Sequence, residues 1–358
     1  MGRMATMPVL QRVLSTLDRV QQRHRVPAVV YAVVKKSGND SAGQYVVALG
    51  WYGFTAIYPL LLVVVTIFGF IGIASLGHGI VSTLHRFPVV GSQFNPATPS
   101  RELHGSVPGL VIGLVGLVYG SQGVTQSAIG MMAQVWNVPG VERPGFLPRL
   151  GRSLVALLLI GSTFLLNAAV SAYATAGATP GWERALVILG MAAVNAALFT
   201  ASFRALTPAR IATAPLVPGA ALAGVGFTML ITVGSALIIH QVAGSSATYG
   251  QFGVVIGLVA FLLLLAKLCM YCAELNVVLA RHLWPRGLRS QHPTVADHEV
   301  LRAIVHQQRQ LEDERIGVGF GPDAAAAAAR DARRDPDGDR YRADQDCQYA
   351  GDQPEVVP

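Results

Sequence analysis

Six apolar runs decide what this chain can become. They lie near residues 44–75, 107–131, 153–176, 184–206, 215–239 and 251–281, and each holds the roughly 20 helical residues that cross a hydrocarbon core. Lipid offers no water to a backbone amide, so runs of this length span as helices, whose hydrogen bonds close within the segment. Composition agrees: 52% of the residues are hydrophobic and 13% charged, against about 25% charged in soluble domains. The fold class expected is an all-α integral membrane protein, a bundle of six transmembrane helices with cytoplasmic amphipathic helices and a disordered C-terminal tail.

Lysine and arginine set the orientation. Arg3, Arg12, Arg19, Arg23, Arg25, Lys35 and Lys36 precede the first run. Arg143, Arg149 and Arg152 follow the second, Arg204 and Arg210 the fourth, and Arg281, Arg286 and Arg289 the sixth. The other side holds Arg86, Arg101 and Arg184. Both termini are therefore expected in the cytoplasm, in a multi-pass protein of the cell inner membrane. About forty mixed residues precede the first run, so that run itself, rather than a cleaved signal peptide, is expected to direct insertion. The net charge of +7 suits anionic lipid headgroups. With no basic block interleaved with stacking aromatics, nucleic acid is not an expected partner.

The chain divides into four regions. Residues 1–40 form a cytoplasmic amphipathic or interfacial segment: in "PVLQRVLSTLDRVQQRHR" Val9, Leu10, Val13, Leu14, Leu17 and Val20 share one helix face. The piece "VPAVVYAVVKK" that follows is too short to span, and lies at the interface or packs under the bundle. Residues 41–284 are the six-helix transmembrane domain. Residues 285–316 carry a cytoplasmic helix with Thr294 as its N-cap. Residues 317–358, acidic and nearly free of large apolar groups, are a disordered tail. His78, His85 and His104, in the outer loop near 76–106, have spacings that fit no metal pairing, and Cys269 and Cys272 lie on a membrane helix with no second ligand pair. No metal and no cofactor is expected.

Two ionisable groups stand inside the last run, "LLLLAKLCMYCAELNVVL". Lys267 lies deep in it, where insertion scales assign a charged side chain about 2.5–3.5 kcal/mol, and Glu274 lies nearer its cytoplasmic end. Their spacing puts both on one face, but about 10.5 Å of helical rise separates them, so an ion pair between them requires both side chains to bend. Otherwise Lys267 bonds to carbonyls, snorkels, loses its proton, reaches water, or meets an anionic group on a ligand. Glu274 suits a structural acceptor as well as a functional one.

The second run adds "YGSQGVTQS". A helix break there would build a mid-membrane binding site from Gln122 and Gln126; a continuous helix would use Gly120 and Gly123 for close packing and the glutamines as interhelical glue. Pro59, which lacks a backbone donor, is the natural bend in the first run. The candidate substrate-binding residues are thus Lys267, Glu274, Gln122, Gln126 and Tyr271, and the candidate hinges Pro59, Gly120 and Gly123. No P-loop, G-x-S-x-G, H-E-x-x-H or two-metal cluster of His and Asp is present. No catalytic residue is assigned, and an enzyme is not expected.

From about residue 27 to residue 284 the chain resembles the YihY/BrkB family of inner-membrane proteins. The segments that carry the likeness are "GQYVVALGWYGFTAIYPLLLVVVTIFGF", "QVWNVPGVERPGFLPRLGRSL", "ATYGQFGVVIGLVAFLLLL" and "CAELNVVLARH". The last is similar to the family's G-A-E-L-N-A element, with Cys272 in place of its glycine. The resemblance implies six transmembrane helices with both ends cytoplasmic. Family members were once labelled ribonuclease BN, but the residues for metal-dependent RNA hydrolysis are missing here; others are associated with envelope integrity, and one branch with export of lipid precursors. Lys267 stands where the family pattern has an apolar or aromatic residue.

The function expected is a transporter or flippase-like protein that moves an amphipathic, anionic envelope component. The alternative is a non-transporting scaffold that supports envelope integrity or assembly. Membrane lipids, envelope-assembly proteins and further copies of the chain are the expected partners.

Overall fold

The computed structural model describes Gln21 and residues 23–71, 107–143, 145, 148, 151–156, 158–159, 161–163, 166, 181–208, 211–245, 250–288, 293–311 and 314–321. Among these residues the regular structure is helical, with no strand. The helices are α1 (Arg25–Asn39), α2 (Gly43–Ile71), α3 (Val107–Val135), α4 (Gly181–Leu206), α5 (Val217–Ser245), α6 (Gly250–Ala280) and α7 (Val295–His306). A further apolar helical stretch covers Gly151–Thr163. Most of the amphipathic segment 8–25, the loop with His78, His85 and His104, and the tail beyond residue 321 lie outside the described residues.

Among the described residues three stretches are long and apolar enough to cross a membrane: Leu186–Leu206, Ala214–Ile231 and Val255–Ala280, with mean hydropathies of 2.0, 1.7 and 2.4. Helix starts follow local chemistry. Both α3 and α5 open on Val-Pro-Gly, and a proline in the first turn lacks only an N–H that would have no intrahelical acceptor. Pro59 lies within α2, which nevertheless runs from Gly43 to Ile71.

Two pairs of neighbouring helices, α2 with α3 and α4 with α5, are joined by α6, which packs on α1, α2, α3 and α5. The α2–α3 seam is built on glycine. A Cβ on Gly116 would lie 3.0 Å from Pro59, one on Gly120 2.9 Å from Ala56 and one on Gly130 2.5 Å from Tyr45, while one on Gly123 would collide with the Tyr52 ring. Partner numbers fall as the glycine numbers rise, which is the register of an antiparallel pair. Small residues let two helix backbones approach where no hydrophobic effect drives them together. Gly120 and Gly123 therefore sit in an unbroken helix and serve its close crossing.

α5 meets α6 by the same means. The Gly219 N–H donates to Asn276 Oδ1 at 2.6 Å, and a Cβ at Gly219 would collide with the Cys272 carbonyl. The core concentrates at one end of the bundle, where Met132, Ala133, Val135 and Trp136 of the α3 end meet Ala273, Val277 and Val278 of α6, Leu216 and Ala220 by α5, and Ala32 of α1. Farther along, large apolar side chains such as Ile112, Val115, Tyr119, Leu189, Met229 and Ile256 are exposed. An apolar outer surface of this kind suits a lipid solvent.

Candidate functional site

The sequence of α1 makes one face apolar and ends that face on a lysine. Ala28, Val29, Ala32, Val33, Lys36 and Ser37 are buried, a spacing that keeps them on one side of a helix. This places α1 under the bundle against α6, the second of the two positions open to "VPAVVYAVVKK". Lys36 is 0% exposed, so its ammonium needs partners from protein.

It has three. Lys36 Nζ donates to Asp40 Oδ2 one turn on, to the Val135 carbonyl at 2.6 Å and to Glu274 Oε2 at 3.0 Å. Each is positioned for a reason. Val135 is the last residue of α3, where carbonyls lack intrahelical donors and the helix dipole is negative. Asp40 is the C-cap of α1, held from behind by Gln134 Nε2, which donates to its carbonyl at 2.7 Å. Glu274 comes from α6 and is 0% exposed. The same level carries a chain of amides: Gln307 Nε2 donates to Gln134 Oε1 at 2.9 Å, and Asn137 Nδ2 to Gln307 Oε1 at 3.2 Å. Arg281 donates to the Trp136 carbonyl at 2.9 Å.

A second cluster fastens α7. Asp297 Oδ1 accepts from Lys35 Nζ and from Arg286 Nε, both at 2.8 Å, and Oδ2 accepts from the Gly287 and Thr294 N–H groups at 3.0 Å and from Thr294 Oγ1 at 3.1 Å. Thr294 returns a bond to the Asp297 N–H, which completes a capping box and makes Thr294 the N-cap its sequence position suggests. Burial alone would raise the Asp297 carboxyl, but the hydrogen bonds from Lys35, Thr294, Arg286 and Gly287 outweigh it and hold the group well below the usual carboxylate range.

The structure separates the residues that sequence reasoning grouped. Glu274 is spent on Lys36. Lys267 is exposed, and among the described residues no carboxylate pairs with it. Gln122 and Tyr271 are half-buried and Gln126 is exposed; no hydrogen bond among the described residues joins any of them to Lys267. Lys36 and Asp40 went unread as site residues because "VVKKSGND" looks like a basic helix end followed by a turn. Their i, i+4 spacing was the available signal.

A bundle of long apolar helices with an apolar outer surface and its ion pairs buried at one end defines an all-helical membrane protein. The family model described as virulence factor BrkB matches residues 33–296, and the chain belongs to that family. The match begins inside α1 and closes inside α7, so Lys36, Asp40 and Glu274 fall within it, while Asp297 stands one residue beyond its end. No curated protein and no solved structure matches the chain.

Proposed function

We propose that this protein is a transporter or flippase-like component of the inner membrane, with six spans and both termini cytoplasmic, that moves an amphipathic anionic lipid or lipid precursor. The exposure of Lys267 supports the reading. It lies about midway along Val255–Ala280, on a helix whose Ile256 and Leu264 are 64% and 53% exposed. A lone ammonium facing hydrocarbon is unfavourable by several kcal/mol. An anionic amphiphile matches both features, its headgroup meeting the lysine and its chains the leucine and isoleucine. In this reading Gln122, Gln126 and Tyr271 offer polar contacts to a headgroup in passage, and Pro59 lets α2 bend. Glu274 contributes by keeping α6 in place.

Native mass spectrometry of the full chain extracted with its lipids tests the reading. Lys267→Met should leave the fold intact or stabilise it, since it removes an ammonium from hydrocarbon, and lower retention of anionic lipid by roughly tenfold, the equivalent of 1.4 kcal/mol. Unchanged retention, in a variant that also supports envelope integrity in cells, would transfer the assignment to a non-transporting scaffold. The fastening of α7 to the bundle through Asp297 favours that second reading, since it presents a fixed surface to envelope-assembly proteins.

A further inference from the structure

We propose that Lys36, Asp40 and Glu274 form a binding site for one proton, shared between the two carboxyl groups, and that its release loosens α1 from α3 and α6. The site is distinct from Lys267 and does not depend on the transport reading.

The argument begins with a charge count. One ammonium faces two carboxylates, and all three side chains are 0% exposed. With both acids ionised, the cluster would carry an uncompensated negative charge in a medium where stranding one costs several kcal/mol. Among the described residues around the cluster no other cation is free to compensate it. Among the described residues α3 brings only the Val135 carbonyl and the Gln134 amide. Lys35 and Arg286 are engaged by Asp297, and Arg281 by the Trp136 carbonyl. Of the other titratable groups on these helices, Cys269, Cys272 and Tyr271 of α6, Tyr31 of α1 and Tyr45 of α2 carry no positive charge in any state; Lys267 is exposed and about 10.5 Å of helical rise from Glu274, and Arg25, at the opposite end of α1, lies over the Trp284 ring.

Hydrogen bonding leads to the same count by another route. An ammonium has three donors, and Lys36 uses them on Asp40, Val135 and Glu274. Asp40 Oδ1 and Glu274 Oε1 remain buried with no donor. Asp40 Oδ2 and Glu274 Oε2 bond the same Lys36 Nζ, so the two carboxyl groups stand side by side, an arrangement that disfavours ionising both. One proton neutralises the cluster and supplies the missing donor at once. A metal ion would need several more oxygen ligands than these two free atoms, and would have to sit beside the ammonium.

Release has a mechanical consequence. Asp40 caps α1, Val135 ends α3 and Glu274 belongs to α6, so the proton helps hold three helices at one point. When α1 lifts away, the carboxyls reach water and ionise in the ordinary acid range. The docked state therefore binds more protons than the open one, and docking weakens as pH rises through the cluster's titration.

Hydrogen exchange on the full chain in lipid nanodiscs, with the intrinsic pH dependence of exchange removed, reads this directly. Opening of α1 should rise by roughly tenfold per pH unit from the ordinary carboxyl range up to the docked cluster's titration, the slope of a single proton, and level off above it. Infrared titration of the wild type should show one protonated carboxyl band that disappears where that rise levels off and shifts when Glu or Asp is labelled with ¹³C. Glu274→Gln and Asp40→Asn should each abolish the slope while α1 stays docked; Lys267→Met should leave it unchanged. If neither carboxyl variant folds, the labelled wild-type titration decides alone. No protonated carboxyl at neutral pH, or opening independent of pH, overturns the proposal. Opening that follows sodium concentration instead of pH would make the ligand a metal cation and overturn it equally.

Discussion

At Asp297 one carboxylate meets two cations and three further donors; at Glu274 and Asp40 two carboxylates share one cation. Both clusters tie α1 to the C-terminal part of the chain, and they sit on adjacent residues of α1, Lys35 and Lys36. The side-chain exposures of 24% for Lys35 and 0% for Lys36 separate them. The outer cluster is saturated and can keep its ions, because water still reaches its lysine. The inner one has neither water nor enough donors, so its charge state becomes a variable. Adjacent lysines on one helix thus give a fixed fastening and an adjustable one.

The largest effect should come from Lys36→Met, which strands two buried carboxyls. A loss of about 3–5 kcal/mol in denaturant unfolding is expected, largely restored when Asp40→Asn and Glu274→Gln are added. A cost no greater than that of a surface substitution would erase the distinction between the two clusters. Asp297→Asn should cost about 2–3 kcal/mol, the scale of hydrogen bonds to a charged group, since it leaves the buried Arg286 without its counterion.

The pH responses sharpen the comparison, because the signs are opposite. Asp297 has a folded-state carboxyl below its ordinary value of 3.8. Its contribution is therefore present in full above that value and lost as pH falls below it toward the folded one. Acid unfolding of wild type against Asp297→Asn should show this as a difference that closes in strong acid. The smallest effect is assigned to Thr294→Ala, which removes one side of the capping box and should lower the melting free energy by about 1 kcal/mol.

Much of the helical layout was legible in the chain because apolar length and helix-start chemistry are local. The run from 44 begins a helix at Gly43 and Thr294 caps α7, whereas the sequence left "VPAVVYAVVKK" between the interface and the underside of the bundle, and its packing on α6 decides. The glycines of "YGSQGVTQS" were ambiguous on their own, since only Ala56 and Tyr52 on another helix show that they serve packing. The partner of Glu274 was illegible for the same reason. Spacing on α6 pointed to Lys267 on the same face, yet the hydrogen bonds from α1 to α6 go to Met270 and Glu274. Lys267, one turn beyond Met270, is left uncovered. A charge pair 238 residues apart leaves no trace in periodicity.

The long reach of that pair bears on how the chain is made. Lys36 and Asp40 leave the ribosome early; Glu274 arrives with α6, after the other membrane-length helices among the described residues. In the six-span arrangement proposed above, the chain comes back to the face where α1 waits after an even number of crossings. A nascent protein that skipped one would deliver Glu274 to the wrong side, its carboxylate without a lysine and α1 without a place to dock. In that arrangement the salt bridge is a parity check on insertion, read out only once α6 has been made.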